Sequence, residues 1–264
     1  MKFFVISSGS SGNCCYIEEN GRAILIDCGV SLRTISVSLA EYGEDISKVK
    51  SILITHEHND HIRGLGTAAR RLGAEVFVHE KTAAYISEIL GKEKGSCKLT
   101  SFSEEFETAG FGVEFLPLYH DSSFCTGYRI VGKEGVYVSL TDTGILPEGA
   151  EDFVRNADTL LLESNYDEDM LVRGSYPTAL KRRISGKNGH LSNLQAAAML
   201  AGCPNLNVGR VILGHLSENN NSAELAFDAA EKTLSAEGVT EGKDIGLEVI
   251  PHGKRRVMTN VRFR

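Results

Sequence analysis

The chain has 264 residues, 42% of them hydrophobic, and a formal net charge of −7. That is enough apolar material for a sizeable core, and the wrong sign for a protein that coats nucleic acid by charge alone. The apolar start Phe3-Phe4-Val5-Ile6 is too short for a signal-peptide core or a membrane span, and the six cysteines include no Cys-x-x-Cys pair, so a reduced, cytoplasmic setting is expected.

Strands are expected at Phe3 to Ile6 and Tyr16-Ile17, joined as a hairpin around Ser7-Ser8-Gly9-Ser10-Ser11-Gly12-Asn13, with Ala23-Ile24-Leu25-Ile26 next. The Ser/Gly loop reads as a tight turn or as an anion-binding nest of backbone N–H groups. Adjacent Cys14 and Cys15 read as packing residues, since neighbours on a strand face opposite ways. Asp27 ends its strand and either caps the loop or orients a metal-ligating imidazole. Ser31 then caps a helix with Leu32, Ile35 and Leu39 on one face and Gly43 as its stop.

The densest chemistry follows the apolar run Ser51-Ile52-Leu53-Ile54. His56, His58, Asp60 and His61 put three imidazoles and a carboxylate into six consecutive positions. If the chain leaves Ile54 still extended, His56 and His58 share one face and grip one ion. Asp60 and His61 fall on the turn into a helix over Arg63 to Leu72 and reach a second ion nearby. Imidazole with carboxylate suits zinc, iron or manganese in a binuclear hydrolytic centre, with ions about 3.5–4 Å apart.

Further on, Val76-Phe77-Val78-His79 reads as a strand, with His79 an ordinary strand-end residue, and Lys81 to Leu90 as a helix closed by Gly91. Short strands follow at Val113 to Leu116, Gly127 to Val131 and Gly135 to Leu140. His120-Asp121 and Asp142 sit at strand ends, and each taken singly is a loop-capping candidate. Thr159 to Leu162 leads into Glu163, which can cap, coordinate or face water. Ser192 or Asn193 caps an alanine-rich helix over Leu194 to Leu200, preceded by His190. The strand Val208 to Leu213 ends at Gly214-His215, and Asn221-Ser222-Ala223-Glu224 makes a capping box for a last helix through Leu234. His252 is expected to be exposed. Three basic groups, Arg70-Arg71, Lys181-Arg182-Arg183 with Lys187, and Lys254-Arg255-Arg256, read as solvated faces or local phosphate contacts. Strands alternating with helices give an α/β fold class, and with no linker in sight residues 1–264 read as a single domain.

The order His56, His58, Asp60, His61, His120, Asp142, His215 at successive strand ends resembles the metallo-β-lactamase superfamily. The block Gly189-His190-Leu191-Ser192 to Gly214-His215-Leu216-Ser217 resembles its tRNase Z-like branch. Ser8 to Asn13, Leu25 to Gly29, Glu163-Ser164-Asn165, Gly189 to Asn193 and Gly214 to Asn220 are similar to the bacterial YycJ/WalJ family, with Tyr166 standing where that family leads one to expect histidine. The resemblance implies a four-layer αββα sandwich with two divalent metal ions, zinc or manganese, at one edge. It assigns His56, His58 and His120 to one ion, Asp60, His61 and His215 to the other, and Asp142 as the bridge.

It further implies phosphodiester hydrolysis in which Asp60 orients the attacking water. His190 contacts phosphate or protonates the leaving oxygen, unless it only caps its helix. The substrate class it suggests is nucleic acid: DNA, attacked from a 5′ end of a duplex, in the setting of mismatch repair. A small-molecule or cyclic phosphodiesterase is the second reading, and a regulatory protein that keeps a structural metal is the third. The chain has no room for the insertion that β-CASP nucleases carry and shows no long arm like that of tRNase Z. Substrate grip therefore falls to short loops and patches such as Lys181-Arg182-Arg183.

Overall fold

The computed structural model describes residues 1–91, 97–203 and 205–252, with the backbone of 256–258. In the first half the chain forms β1 (Lys2–Ser7), β2 (Cys14–Glu19), β3 (Arg22–Ile26), α1 (Leu32–Ala40), β4 (Val49–Leu53), α2 (Asn59–Ile62), α3 (Leu65–Leu72), β5 (Glu75–His79), α4 (Glu80–Gly91) and β6 (Leu99–Phe102). The second half forms β7 (Phe106–Thr108), β8 (Phe111–Leu118), β9 (Cys125–Val131), β10 (Val136–Leu140), α5 (Ala150–Val154), β11 (Thr159–Glu163), α6 (Glu168–Arg173), α7 (Thr178–Ile184), α8 (Asn193–Gly202), β12 (Arg210–Gly214), α9 (Ala223–Ala236), β13 (Gly246–Val249) and β14 (Arg256–Met258).

Period-two alternation decides what each strand covers. In β3, Ile24 and Ile26 face the second sheet while Ala23 and Leu25 face helices, so the strand is apolar throughout. The same alternation separates Cys14 from Cys15, which lie in different cores; all six cysteines are free thiols. Two seven-stranded sheets result among the described residues, in the orders β14-β1-β2-β3-β4-β5-β6 and β13-β12-β11-β10-β9-β8-β7. Each is part antiparallel and part parallel: β3 to β6 run parallel in one sheet and β10 to β13 in the other.

A core of Phe3, Ile17, Leu53, Phe77, Tyr128, Leu161 and their neighbours fills the space between the sheets. Ile35 and Leu39 of α1, Leu65 and Ala68 of α3 and Ile86 of α4 cover one outer face. Val154, Met199, Leu200, Ala226 and Leu234 cover the other. The fold is therefore a four-layer αββα sandwich.

Several local expectations shift. Asp60 and His61 lie inside the four-residue α2, not on a turn, and Gly64, just before α3, packs so closely that a Cβ there would fall 2.0 Å from the Val30 carbonyl oxygen. Helix α4 includes Gly91. The N-cap of α9 is Ser222, whose hydroxyl accepts from Leu225 N, so the Asn221/Glu224 box does not form. Asn221 instead holds Ser164 O and Asn193 Oδ1 through its amide. His252 is half-buried against Gly9. Lys254, Arg255 and the Arg256 side chain lie outside the described residues. Among the described residues no helix is long and apolar enough to cross a membrane.

Candidate metal centre

In both sheets the C-terminal ends of the parallel strands open on one edge of the sandwich, and β8 ends there too because it runs antiparallel to β9, which runs antiparallel to β10. This edge receives Asp27 after β3, the segment to His61 after β4, His120 after β8, Asp142 after β10, Glu163 at the end of β11 and His215 after β12. The backbone bends sharply to deliver three of them: φ is +61° at Asp27, +63° at Asp142 and +56° at His215. Side chains other than glycine enter that region at a cost of about 1–3 kcal/mol, which the surrounding structure must cover.

The loop before α2 is pinned from several sides. Asn13 N donates to Asp60 O (2.7 Å), Cys28 N to His61 O (2.7 Å) and Thr126 N to Thr55 O (3.1 Å). Gly29 lies flush beneath it: a Cβ there would sit 1.6 Å from Asp60 O.

All the sequence-predicted ligands meet here. Ligand atoms of His56, His58 and His120 lie within 4.8 Å of one another, as do those of Asp60, His61 and His215, and those of His56, His61 and Asp142. Asp142 stands between the groups, with Oδ2 3.4 Å from His61 Nε2, and Oδ1 3.4 Å from His215 Nε2 and 3.8 Å from His120 Nε2. His190 joins them, its Nδ1 3.9 Å from Asp142 Oδ1. It does not cap α8; Ser192 does, in a capping box with Gln195. The residues surround a cavity of about 280 Å³, which His58, Asp60, His120, Asp142, His190 and His215 line directly.

The ring orientations follow from what grips Nδ1. Asp27 Oδ2 takes His61 Nδ1 at 2.8 Å, Glu163 Oε1 takes His215 Nδ1 at 2.8 Å, Gly189 O faces His120 Nδ1 at 3.2 Å, and Thr55 Oγ1 faces His56 Nδ1 at 3.0 Å. Each arrangement turns Nε2 inward, as an outer-shell partner does for a ligating histidine. His58 is the exception, meeting His120 Nε2 with its Nδ1 at 3.2 Å.

Three observations fit divalent cations at these positions. His56 Nε2, His215 Nε2 and Asp142 Oδ2 are buried with no hydrogen-bond partner, a cost of about 1–3 kcal/mol each if nothing meets them. Nitrogens about 2.0–2.1 Å from a tetrahedral ion stand roughly 3.3 Å apart. The 3.2 Å between His58 and His120 matches that spacing. Charge agrees as well. Burial, the largest influence on His61, disfavours its protonated form, yet Asp27 and Asp142 outweigh it and raise the imidazole to about 9. Burial acts the same way on His215, and Asp142 with Glu163 raises it to about 10. The carboxylates thus make a field that binds positive charge even in a dry pocket.

Glu163 is the group that the sequence leaves undecided. It is fully buried and accepts four hydrogen bonds: His190 Nδ1 (2.7 Å) and His215 Nδ1 (2.8 Å) at Oε1, Thr143 N (2.9 Å) and Leu191 N (3.2 Å) at Oε2. Burial raises its proton affinity, but the His190 and His215 imidazoles reverse the sign and bring it down to about 2. Asp27 serves both roles open to it, accepting from Thr55 N at 2.9 Å as well as from His61. Asn13 places its amide 2.9 Å from His61 Nε2, and Ser8 Oγ accepts from His215 N at 2.7 Å. Tyr166 packs with Leu171 and Ile184 and is not among the side chains lining the cavity.

The beta-lactamase superfamily domain matches residues 22–216. The exodeoxyribonuclease WalJ of Streptococcus pneumoniae serotype 2 strain D39 is 37% identical over 248 residues, spanning 92% of this chain and 91% of that protein. The exodeoxyribonuclease YycJ of Bacillus anthracis is 32% identical over 244 residues, 92% of each chain. Among solved structures, the metallo-beta-lactamase fold protein YhfI from Bacillus subtilis superposes with a TM-score of 0.72 over 97% of this chain and 99% of its own, at 18% identity, a likeness of fold.

Proposed function

We propose, from the premise that this chain belongs to the metallo-β-lactamase superfamily and to its WalJ/YycJ family, that it is an exodeoxyribonuclease working from a 5′ end of duplex DNA. The chain is a metal-dependent hydrolase; DNA as substrate, 5′-to-3′ polarity, zinc or manganese as the ions, a cytoplasmic setting and a place in mismatch repair are the finer parts of this reading. Residues 1–264 act in it as one domain.

His56, His58 and His120 would hold one ion, Asp60, His61 and His215 the other, and Asp142 both. Two such ions supply an activated water, in-line placement and neutralisation of a phosphoryl oxygen. The chain's own groups do the rest. Asp60, at the cavity wall and 3.6 Å from His61 Nε2, orients the attacking water. Asp27 and Glu163 fix the rings they hold, so the site needs little rearrangement when substrate arrives.

The observation that carries the reading is the shared oxygen of Glu163, which joins His215 of the ligand set to His190 in the same cavity. With Nδ1 committed to Glu163, His190 has Nε2 to offer a phosphate oxygen or, as a general acid, the leaving oxygen. A purified protein loaded with Mn²⁺ or Zn²⁺ should shorten a 5′-labelled duplex, and His190→Ala should slow this about 10²- to 10⁴-fold with metal content unchanged. Loss of metal in that variant makes His190 a ligand and overturns its role. Cleavage of bis(p-nitrophenyl) phosphate but of neither DNA nor a matching RNA favours a small phosphodiester substrate; no hydrolysis under any ion favours a regulatory protein.

A further inference from the structure

One wall of the cavity carries a positive charge that the metal chemistry does not use, and an exposed aromatic ring stands outside the lining, on the residue before His120. Arg183, in the last turn of α7, lines the cavity and donates through Nε to Asp121 Oδ2 at 2.6 Å. Asp121 in turn stands 3.4 Å from His120 Nε2 and 3.9 Å from His58 Nε2. The guanidinium is therefore fixed next to one ligand group while half exposed itself. An Asp121 contact through Nε occupies one edge of a planar fork that has further N–H donors for oxygen acceptors.

Two residues before Asp121 in the chain, Tyr119 is 38% exposed and Lys187 Nζ lies 4.3 Å from the centre of its ring. The two segments that carry these groups are locked together, directly and through Gly144, two residues past Asp142. Gly144 N donates to Tyr119 O at 3.0 Å, and a Cβ on Gly144 would fall 2.2 Å from Gly186 O and 2.4 Å from Lys187 O. His120 Nδ1 faces Gly189 O at 3.2 Å. The rim is thus built into the same contacts that set His120 and Asp142.

We propose that Arg183, Lys187 and Tyr119 form the subsite for the nucleotide flanking the scissile phosphodiester, Arg183 binding its phosphate and the Tyr119 ring stacking on its base. The proposal rests on the nuclease reading above. A phosphate needs cationic donors beside the ligand groups, and in a chain of net charge −7 they must be local. An aromatic face serves any base because every base has a π-face, which suits an enzyme that removes nucleotides in succession. A surface lysine over an exposed ring is held weakly, so a base can take the ring and leave Lys187 to a neighbouring phosphate. Asp121 is a positioning residue: it aims Arg183 and offers nothing to an anion.

The test uses the metal-loaded full chain and a fluorescent duplex with phosphorothioate-protected ends, read by anisotropy over a salt series, together with KM and kcat on an unprotected 5′-labelled duplex. Arg183→Ala should weaken binding about tenfold and lower the slope of log affinity against log salt by about one. Tyr119→Ala should weaken it about 5- to 150-fold with the slope unchanged, and Tyr119→Phe should restore it. In each case KM should rise more than kcat falls, with metal per chain as in the parent protein. Binding within twofold of the parent for both alanine variants, or Tyr119→Phe as weak as Tyr119→Ala, overturns the subsite. If the unaltered protein neither binds nor cuts DNA, the nuclease reading fails and the subsite fails with it.

Discussion

Replacing Glu163 with glutamine removes one charge and almost no volume, and the four donors around it make the outcome calculable. Each carboxylate oxygen accepts two hydrogen bonds, His190 and His215 on one side, Thr143 N and Leu191 N on the other. A glutamine has one accepting oxygen, so one pair must face an NH₂. If it faces the backbone pair, two buried N–H groups lose their acceptor at roughly 1–3 kcal/mol each, or about 2–6 kcal/mol in all, out of a typical total stability of about 5–15 kcal/mol. If it faces the imidazoles, both rings must change tautomer to accept at Nδ1. His215 Nε2 then carries hydrogen where the ligand set needs a lone pair, and metal affinity falls about 10- to 100-fold. Urea denaturation of the metal-free protein together with metal titration separates the two outcomes. A variant within about 1 kcal/mol of the parent that also keeps its metal affinity would refute the role given to Glu163.

Asp27→Asn should weaken metal binding about 10- to 100-fold, measured by titration calorimetry, because His61 loses the carboxylate that turns its Nε2 inward. Gly29→Ala should cost about 3 kcal/mol or more in denaturant unfolding, since its Cβ would sit 1.6 Å from Asp60 O; Gly91→Ala, with open space around it, should cost nothing comparable. The pH dependence of the chelator-treated protein has a definite sign. His61 and His215 titrate near 9 and 10 when folded against an ordinary 6.5, so their contribution is complete below about pH 6.5 and disappears as pH rises through 9–10. Glu163, near 2 when folded against 4.5, contributes above about pH 4.5 and fails as pH falls toward 2. Urea midpoints should therefore peak between those limits, and metal loading should flatten the alkaline side; a midpoint that climbs from pH 7 to 9 without metal contradicts the assignment.

His120, Asp142 and His215 stand in the sequence only as strand-end candidates that the family resemblance groups, while His56, His58, Asp60 and His61 were readable as candidate ligands because they crowd just past an apolar run that strand periodicity marks out. What joins them was not. An acid after a strand looks alike whether it caps, coordinates or faces water, and only the arrival of Thr143, Leu191, His190 and His215 from four places in the chain shows what Glu163 accepts. The left-handed turns at Asp27, Asp142 and His215 have no decisive sequence mark: aspartate and histidine are enriched there among non-glycine residues, yet only a few per cent of such residues adopt that conformation. Asn221 and Ser222 are both good caps, and the tie was decided by the demand of Ser164 O and Asn193 for the Asn221 amide. The ring of Tyr166 packs in a small apolar cluster with Leu171 and Ile184, so its place in the motif says little about substrate preference.

The two sheets solve the same problem in the same way. In the first, Asp27 follows a parallel strand, accepts a backbone N–H from the end of the next strand at Thr55, and holds His61. In the second, Glu163 ends a parallel strand, accepts a backbone N–H from beyond the neighbouring strand at Thr143, and holds His215. Each half thus orients its own imidazole with a buried carboxylate fixed by its own sheet. The halves are then brought into register by contacts that cross between them: Ser8 Oγ accepting from His215 N, and Thr126 N donating to Thr55 O. Sliding one sheet over the other would break those contacts before it disturbed either carboxylate–imidazole pair. Because each proposed ligand set draws on both halves, His56 and His58 with His120, and Asp60 and His61 with His215, sheet packing sets the spacing within each set and local hydrogen bonds the orientation of its rings, so a change at Ser8, Asp27 or Glu163 should weaken the ion held by Asp60, His61 and His215 first.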